Sequence, residues 1–259
     1  MKLKVNKMID VHSHIIPKID DGSQSFEDSY AMFIEASRAG FTDIISTSHY
    51  IEEYYETDCI KRHAWIVAMD KVLKENNIDL KLHCGNEIYI THNLIKLIKE
   101  KKASTLANSR YVLFELPMNN NIVYLNEIIF EIKLSGLIPI IAHPERYTYI
   151  QKNPNILMDL IKQGVLLQGN FASIIGKYGN YAKDTIKKLL KADMIHFLGT
   201  DCHRKNDIYI QMNDILKELK KFLSNAKIEE ITTINPNHII KDEQFNISEP
   251  RKIKIGFFH

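Results

Sequence analysis

Short apolar runs alternate along the chain with longer segments in which apolar residues recur every three or four positions. The short runs predict buried β-strands, because strands of parallel sheets read as continuous apolar segments. They fall at 8–12, 43–49, 80–88, 111–117, 138–144, 165–170 and 195–200. The longer segments predict amphipathic helices at 26–39, 60–75, 122–135, 155–163, 181–192 and 209–224.

The regular exchange of strand and helix predicts a parallel sheet covered by helices. Seven such units in 259 residues favour a distorted seven-stranded (β/α)7 barrel, related to the eightfold TIM barrel, over a doubly wound open sheet. Residues 226–259 lack this alternation, and we expect them to pack on the barrel as a C-terminal appendage. The chain 1–259 is therefore predicted to form a single α/β domain.

Composition and charge exclude several classes of function. Apolar residues make up 45% of the chain and charged residues 25%, as in soluble globular proteins. The 34 basic and 32 acidic side chains nearly cancel, so nucleic acid is not an expected partner. The longest apolar stretch, 137–142, cannot span a bilayer, and the first residues lack a secretory signal. These features predict a cytoplasmic protein without membrane insertion.

The cysteines and glycines exclude several familiar sites. Cys59, Cys84 and Cys202 are odd in number and widely spaced, which predicts neither a disulfide framework nor a zinc knuckle. No arginine stands six positions after any of them, so the phosphate loop of thiol-dependent tyrosine phosphatases is missing. The chain also lacks the G-x-x-x-x-G-K-[ST] and G-x-G-x-x-G loops. Alternation along the strand is expected to turn Cys202 away from its polar neighbours.

Histidine and acidic residues follow six of the seven predicted strands at their carboxyl ends. In the segment IDVHSHIIPKIDDG, strand alternation puts His12 and His14 on the same side. Chemistry in parallel α/β folds collects at this edge. The candidate set is His12, His14, Asp21, His49, Glu87, Glu115, His143, Asp201 and His203.

Taken singly, each of these residues also has an ordinary structural role; the Asp21-Gly22 pair, for example, is typical of a turn. Together they predict a metal centre, because so many strands carry such side chains to one rim. Five histidines with up to four carboxylates favour Zn, Mn or Fe over Ca or Mg. The set exceeds what one ion needs, so two or three ions are expected.

Seven ordered motifs between residues 8 and 203 carry a resemblance to a known family. They are H-S-H, I-D-D-G, T-S-H, G-N-E, F-E-L-P, I-A-H-P-E-R-Y and G-T-D-C-H, joined by an S-x-x-G-x-x-G segment at 173–179. The chain resembles the polymerase and histidinol phosphatase (PHP) superfamily of metal-dependent phosphoesterases. Within it, the chain resembles the protein-tyrosine phosphatases encoded with bacterial capsule and exopolysaccharide genes.

The resemblance implies a trinuclear centre, with manganese as the first expectation and iron or zinc as alternatives. It implies one ion held by His12, His14, Glu87 and Asp201, a second by Glu87, Glu115 and His143, and a third by Asp21, His49 and His203. It further implies that Arg146, in the H-P-E-R turn, binds phosphate through its planar guanidinium. Arg146, His49 and Asp21 are the expected catalytic residues.

Two features near the expected mouth concern substrate binding. The family carries an arginine five residues beyond the last histidine ligand, where this chain has Ile208; Arg204 or Lys205 could approach phosphate from another backbone position. The loop 50–55, with three tyrosines, is expected to border the mouth, where a tyrosine can stack on a phenyl ring.

The function implied by the resemblance is hydrolysis of phosphotyrosine on a protein, expected to be a tyrosine kinase that regulates capsular or exopolysaccharide synthesis. Three alternatives stay open: a small-molecule phosphatase acting, for example, on histidinol phosphate, a nuclease or phosphodiesterase of the same superfamily, and a non-catalytic assembly partner. Metal-dependent amidohydrolases also begin with H-x-H, but their mid-barrel lysine is replaced here by Glu115. The general acid and homo-oligomerisation stay open.

Overall fold

The structure is a computed structural model that describes residues 7–254. Within this range the strands are β1 (Met8–Ser13), β2 (Phe41–Ser46), β3 (His49–Tyr50), β4 (Lys81–Cys84), β5 (Glu87–Tyr89), β6 (Tyr111–Glu115), β7 (Ile138–Ala142), β8 (Leu166–Asn170) and β9 (Phe197–Gly199). The α-helices are α1 (Phe26–Ala39), α2 (Cys59–Glu75), α3 (Leu94–Lys99), α4 (Leu125–Leu134), α5 (Thr148–Lys152), α6 (Ile156–Lys162), α7 (Phe171–Ile174), α8 (Asn180–Lys191), α9 (Ile208–Leu219), α10 (Asn225–Glu229) and α11 (Asn235–Lys241).

The strands pair in parallel throughout the described range, which confirms the predicted α/β class. They form two sheets, ordered β1-β2-β4 and β3-β5-β6-β7-β8-β9. The sequence predicts seven strands in one barrel, and the structure differs because two predicted strands, 43–49 and 80–88, are each interrupted by two residues. At the first interruption the Thr47 amide donates to the Ser13 carbonyl and the Thr47 carbonyl accepts from Glu87, so the sheets stay connected there.

A shared apolar cluster shows that the strands curl. It contains residues of β1, β2 and β6 to β9, strands that belong to both sheets, and Ile239 of α11 closes it. A second, larger cluster lies between the strands and the surrounding helices. On the far side the Asp201 amide, just after β9, donates to the His12 carbonyl (2.8 Å), which brings the last strand beside the first.

Helix α1 is confirmed at the predicted bounds, 26–39, and its ends explain why. The Ser25 side chain accepts from the Asp28 amide and caps the first turn. Gly40 ends the helix at φ 96°, a left-handed conformation that glycine adopts at no steric cost. This tight end lets the chain enter β2 at the next residue.

The C-terminal segment contains helices that the sequence pattern does not predict. After α10, a π-helical segment at Glu230–Ile234 leads into α11. The Asn235 side chain donates to the His196 carbonyl (2.9 Å), which holds this segment against the residue that precedes β9. Beyond α11 the chain is extended, and the Arg251 amide donates to the Ala192 carbonyl (2.8 Å). Residues 255–259 of the predicted appendage lie outside the described range.

Within residues 7–254, no helix has the length and apolar character needed to cross a bilayer.

Candidate metal centre

The structure brings all nine predicted ligands to one place at the carboxyl ends of the strands. Glu87 lies at the centre: its Oε2 is 3.1 Å from His12 Nε2 and 3.2 Å from His49 Nδ1, and its Oε1 is 2.8 Å from His143 Nε2. The Nε2 atoms of His12 and His14 are 3.2 Å apart, so these two residues share a face as the alternation predicts.

The remaining carboxylates extend the cluster in two directions. Glu115 Oε1 is 3.3 Å from His49 Nδ1, and Asp21 Oδ1 is 3.3 Å from His203 Nε2. Asp201 Oδ1 lies 3.5 Å from His12 Nε2. Asp21 and His203 stand at the solvent edge, whereas Glu87 is fully buried.

The side chains form three sets, and within each set the ligand atoms lie within 4.8 Å of one another. They are His12, His14, Glu87 and Asp201; His49, Glu87 and Glu115; and His14, Asp21, His49 and His203. The first set is the same as that implied by the resemblance. The second set contains His49 in place of His143, which the resemblance implies for the second ion. The third set contains His14 in addition to the three residues that the resemblance implies for the third ion. His143 still contacts Glu87, so it stays beside the second set.

Unsatisfied buried atoms indicate that these residues fit cations. Glu87 Oε2 and His49 Nδ1 are buried and have no hydrogen-bond partner within residues 7–254, although they are only 3.2 Å apart. Such atoms are costly to bury unless something satisfies them. Lone pairs of imidazole and carboxylate groups that converge on common points are satisfied by a divalent ion. Nitrogen and oxygen ligands without a thiolate suit a borderline transition metal.

Two further residues orient the histidines, and the sequence pattern did not assign them this role. Gln168, in the middle of β8, contacts His12 Nδ1 through its Oε1 (2.7 Å). Asp20 contacts His14 Nδ1 (2.8 Å) and accepts from the His49 amide (2.9 Å). Contacts of this kind fix the ring so that Nε2 presents its lone pair to the site. Asp20 was visible only as part of a turn, and Gln168 only as a polar residue in a strand.

Asp201 connects the cluster to Arg146. Its Oδ2 accepts from the Arg146 guanidinium (2.9 Å), from the Asn170 side chain (2.7 Å) and from the Tyr178 hydroxyl (3.2 Å). Because Oδ2 is occupied, Oδ1 is left to face the histidines. The Arg146 guanidinium also lies over the Tyr178 ring, 4.3 Å from its centre. Arg146 is thus held at the edge of the cluster with part of its surface exposed.

The backbone is strained where two of these side chains enter the site. His143 has φ 33° and Asp201 has φ 53°, values that non-glycine residues adopt at a cost of about 1–3 kcal/mol each. His143 directly follows β7, and Asp201 is the second residue after β9. At the end of β9, a Cβ on Gly199 would lie 2.6 Å from His12 Cβ, so glycine allows Asp201 to approach His12. Strain at such positions is typical of functional sites.

The carboxylates change the protonation of the metal-free cluster. Burial lowers the pKa of His12 and of His49, but the nearby carboxylates, Glu87 first, outweigh it and raise these pKa values to about 9 and about 10. Burial likewise opposes ionisation of Glu87, yet the His12 and His49 charges hold its pKa well below the ordinary range. The His203 hydrogen bond lowers the pKa of Asp21 to about 2. At neutral pH the metal-free cluster therefore contains charged pairs.

This protonation predicts how metal binding depends on pH. At pH 7.5, His12 and His49 carry protons in the metal-free protein, and a metal can only ligate the neutral ring. Metal binding should therefore release about two protons, and affinity should rise with pH until about 9–10 and then level off. Calorimetric titration in buffers with different ionisation enthalpies measures the protons released. Binding without proton release would contradict this assignment.

The predicted mouth contains a tyrosine that faces the cluster. The Tyr55 ring lies nearly parallel to the His49 ring, with centres 6.1 Å apart and an angle of 12°. Tyr54 packs on Tyr55 and is 74% exposed. Tyr50, in contrast, is buried in the core. The loop 50–55 therefore places one aromatic ring beside the candidate centre.

Arg204 and Lys205, which lie near the position of the family's second arginine, contact other protein groups. The Arg204 guanidinium donates to the Asp21 and Gly22 carbonyls, and the Lys205 ammonium pairs with Asp28 (2.8 Å). Ile208 is buried at the start of α9. Arg204 consequently fixes the loop that carries Asp21. Cys202 is turned away from the cluster, as expected, and is buried.

Comparison with known proteins decides the family. The model described as "Capsular polysaccharide synthesis, CpsB/CapC" matches residues 8–241, which is most of the chain. The chain belongs to the CpsB/CapC family. The capsule-gene branch implied by the sequence motifs is thereby confirmed.

Curated relatives within the CpsB/CapC family cover most of the chain. The putative tyrosine-protein phosphatase CapC of Staphylococcus aureus is 31% identical over 230 residues, which are 85% of this chain and 90% of that protein. The tyrosine-protein phosphatase YwqE of Bacillus subtilis strain 168 is 29% identical over 97% of this chain and all of that protein.

Solved structures give the same relationship. A structure from work on YwqE of B. subtilis and CpsB of Streptococcus pneumoniae, described as metal-dependent tyrosine phosphatases, matches with a TM-score of 0.87 and 29% identity. The match covers 96% of this chain and 100% of that one. The histidinol phosphate phosphatase of Lactococcus lactis matches at 14% identity with a TM-score of 0.55 over 83% of this chain and 93% of that one, a likeness of fold alone.

Proposed function

We propose that this protein is a metal-dependent phosphatase that hydrolyses phosphotyrosine on proteins. The observation that carries the proposal is the convergence of nine histidine and acidic side chains with Arg146 at one rim. The named CpsB/CapC relatives support the phosphotyrosine substrate. An open rim with Tyr54 exposed and Tyr55 beside His49 suits an aromatic phosphoester carried on a protein surface.

We further propose that the nine residues bind two or three divalent ions, with manganese first and iron or zinc as alternatives. The proposed ligands are His12, His14, Asp21, His49, Glu87, Glu115, His143, Asp201 and His203. The three geometric sets support more than one ion, with Glu87 shared between two of them. Bound ions would supply positive charge to the phosphate oxygens and lower the pKa of a coordinated water to about 7.

The protein's own residues position the phosphate. The Arg146 guanidinium presents parallel donors to two phosphate oxygens, a geometry that lysine cannot reproduce. Asp201 and Tyr178 hold the guanidinium in place, so the Arg146 side chain loses little conformational entropy when substrate binds. Asp21 is half exposed at the mouth, and the His203 hydrogen bond that lowers its pKa keeps its carboxylate ionised there. His49, between Asp21 and Glu115, completes the proposed catalytic set.

The wider setting is also a proposal. A bacterial tyrosine kinase that regulates capsular or exopolysaccharide synthesis is the proposed substrate, and the family description supports this link. We place the reaction in the cytoplasm. We also infer that the chain forms one domain in which consecutive segments β2–β3 and β4–β5 each act as one strand of a seven-stranded barrel, with the described residues 226–254 of the predicted appendage packed on it.

A substrate comparison tests the proposal against its main alternative. With Mn²⁺, the protein should hydrolyse a phosphotyrosine peptide with a kcat/KM at least ~100-fold above that for histidinol phosphate, because the exposed Tyr54 and the Tyr55 ring beside His49 can contact a peptide that carries an aromatic phosphoester. Phosphate release measured for both substrates gives the ratio. Equal rates, or a preference for histidinol phosphate, would favour the small-molecule phosphatase. If Glu115→Ala keeps both activities, a contaminating enzyme is the source of the phosphate release.

A further inference from the structure

A buried arginine without a carboxylate partner lies away from the metal centre. Arg62 is only 1% exposed, although it lies on α2, a helix at the protein surface. Its guanidinium donates to the Thr57 carbonyl (2.5 Å), the Cys59 sulfur (3.3 Å) and the Ser104 hydroxyl (2.6 Å). Its Nε has no partner within residues 7–254. A buried cation normally needs a compensating anion.

Hydrogen-bonding groups of two residues converge on the Cys59 sulfur. The Ser104 hydroxyl accepts from Arg62 and lies 3.1 Å from Cys59 Sγ, so its proton can point at the sulfur. Two donors, one of them cationic, thus converge on Cys59. Cys59 is also the first residue of α2, a 17-residue helix whose amino end attracts negative charge. These surroundings are typical of cysteines that react as thiolates.

The Cys59 sulfur is accessible, which distinguishes it from the other two thiols. Cys59 is partly exposed, whereas Cys84 and Cys202 are buried. Burial raises the pKa of Cys84 even though Arg62 and Ser104 oppose it, and burial also raises the pKa of Cys202. Cys202 is therefore the independent internal control for the reactivity of Cys59, because Cys84 lines the same cavity as Cys59.

A cavity beside Cys59 indicates what kind of molecule can reach it. It measures about 560 Å³, and Cys59 lines it together with Lys101, His63 and Ser104. No carboxylate is among its lining residues in the described part of the chain. Such a cavity has room for a small molecule, and Lys101 favours one that carries carboxylates.

We propose that Cys59 is a reactive thiol and a site of modification by anionic low-molecular-weight disulfides. The Cys59 thiolate attacks one sulfur of the disulfide and forms a new S–S bond. The original S–S bond breaks, and the departing half leaves as a thiolate that takes up a proton. The exchange consumes no other oxidant. It is independent of the proposed phosphatase reaction, because the modification is detected by mass.

The test compares each cysteine with itself in native and urea-unfolded protein. The metal-loaded protein is incubated with oxidised glutathione at pH 6.5, where an ordinary thiol is only about 1% thiolate. The modified peptides are then quantified by mass spectrometry. Native Cys59 should react at least ~10-fold faster than unfolded Cys59, while native Cys84 and Cys202 should react far more slowly than when unfolded. A native Cys59 rate equal to or below the unfolded rate would overturn the proposal.

Variants separate the electrostatic cause from mere exposure. Arg62→Met should lower the native Cys59 rate at least ~10-fold, and Ser104→Ala should lower it at least ~3-fold. Since loss of Arg62 could prevent folding, Ser104→Ala decides the matter if Arg62→Met is unfolded by circular dichroism. An unchanged Cys59 rate in folded Ser104→Ala would overturn the proposal. Cys59→Ser removes the modified peptide and confirms its identity.

Discussion

Glu87→Gln should lower phosphotyrosine hydrolysis by more than ~100-fold and remove at least one bound ion. Glu87 is the residue that joins the cluster, since His12, His49 and His143 all lie within 3.2 Å of its carboxylate. The loss of a residue that merely orients a ligand already costs about 10–100-fold in metal affinity or activity. The loss of a shared ligand should exceed that range. Elemental analysis and a phosphopeptide assay on the same preparation measure both effects.

Glu145→Gln is the matched control for this substitution. Glu145 is as fully buried as Glu87, but its carboxylate accepts hydrogen bonds from the Ser173 hydroxyl and the Asn170 amide instead of contacting the histidines. Burial raises the pKa of Glu145, and glutamine keeps the shape of its side chain and one accepting oxygen. Glu145→Gln should keep its metal content and most of its activity. Equal metal loss in both variants would mean that Glu87 acts through packing.

Removal of the metal should lower the unfolding temperature by roughly 10 °C. Each ion present at ~100 times its Kd stabilises the folded state by about 2.7 kcal/mol. For a chain of this size, 1 kcal/mol shifts the midpoint by roughly 2 °C, so two or more ions give a shift of about this size. Thermal unfolding followed by circular dichroism, before and after dialysis against a chelator, measures it.

Re-addition of Mn²⁺ controls for damage during chelation and should restore the original midpoint. Ca²⁺ at the same concentration should restore much less, because the cluster offers five imidazole rings and Ca²⁺ prefers oxygen ligands. A midpoint that does not move on chelation would contradict a metal centre inside the fold.

The strands and the positions of most candidate ligands could be predicted from the sequence, because both depend on local pattern. Apolar runs indicate buried strands wherever they occur, and parallel strands bring their carboxyl ends to one edge. His12, Glu115 and His143 each stand at the end of such a run, so their convergence follows from topology alone. The structure places these three side chains close together, as the topology predicts.

The interruptions and the supporting contacts could not be predicted, because they depend on pairing across the fold. The breaks after β2 and β4 leave no mark in the hydrophobic pattern, since Thr47 and Gly85 fit a continuous strand. Gln168 and Tyr178 are separated from their partners His12 and Asp201 by 156 and 23 residues. The short helices α3, α5 and α7 contain too few turns to show a period.

The most direct test of the central claim is anomalous diffraction from crystals grown with Mn²⁺. The account predicts two or three manganese peaks roughly 3.5–4 Å apart, grouped around Glu87 and bordered by His12, Glu115 and His203. Crystals that bind manganese elsewhere, or that show no anomalous peak among these side chains at saturating Mn²⁺, would contradict it.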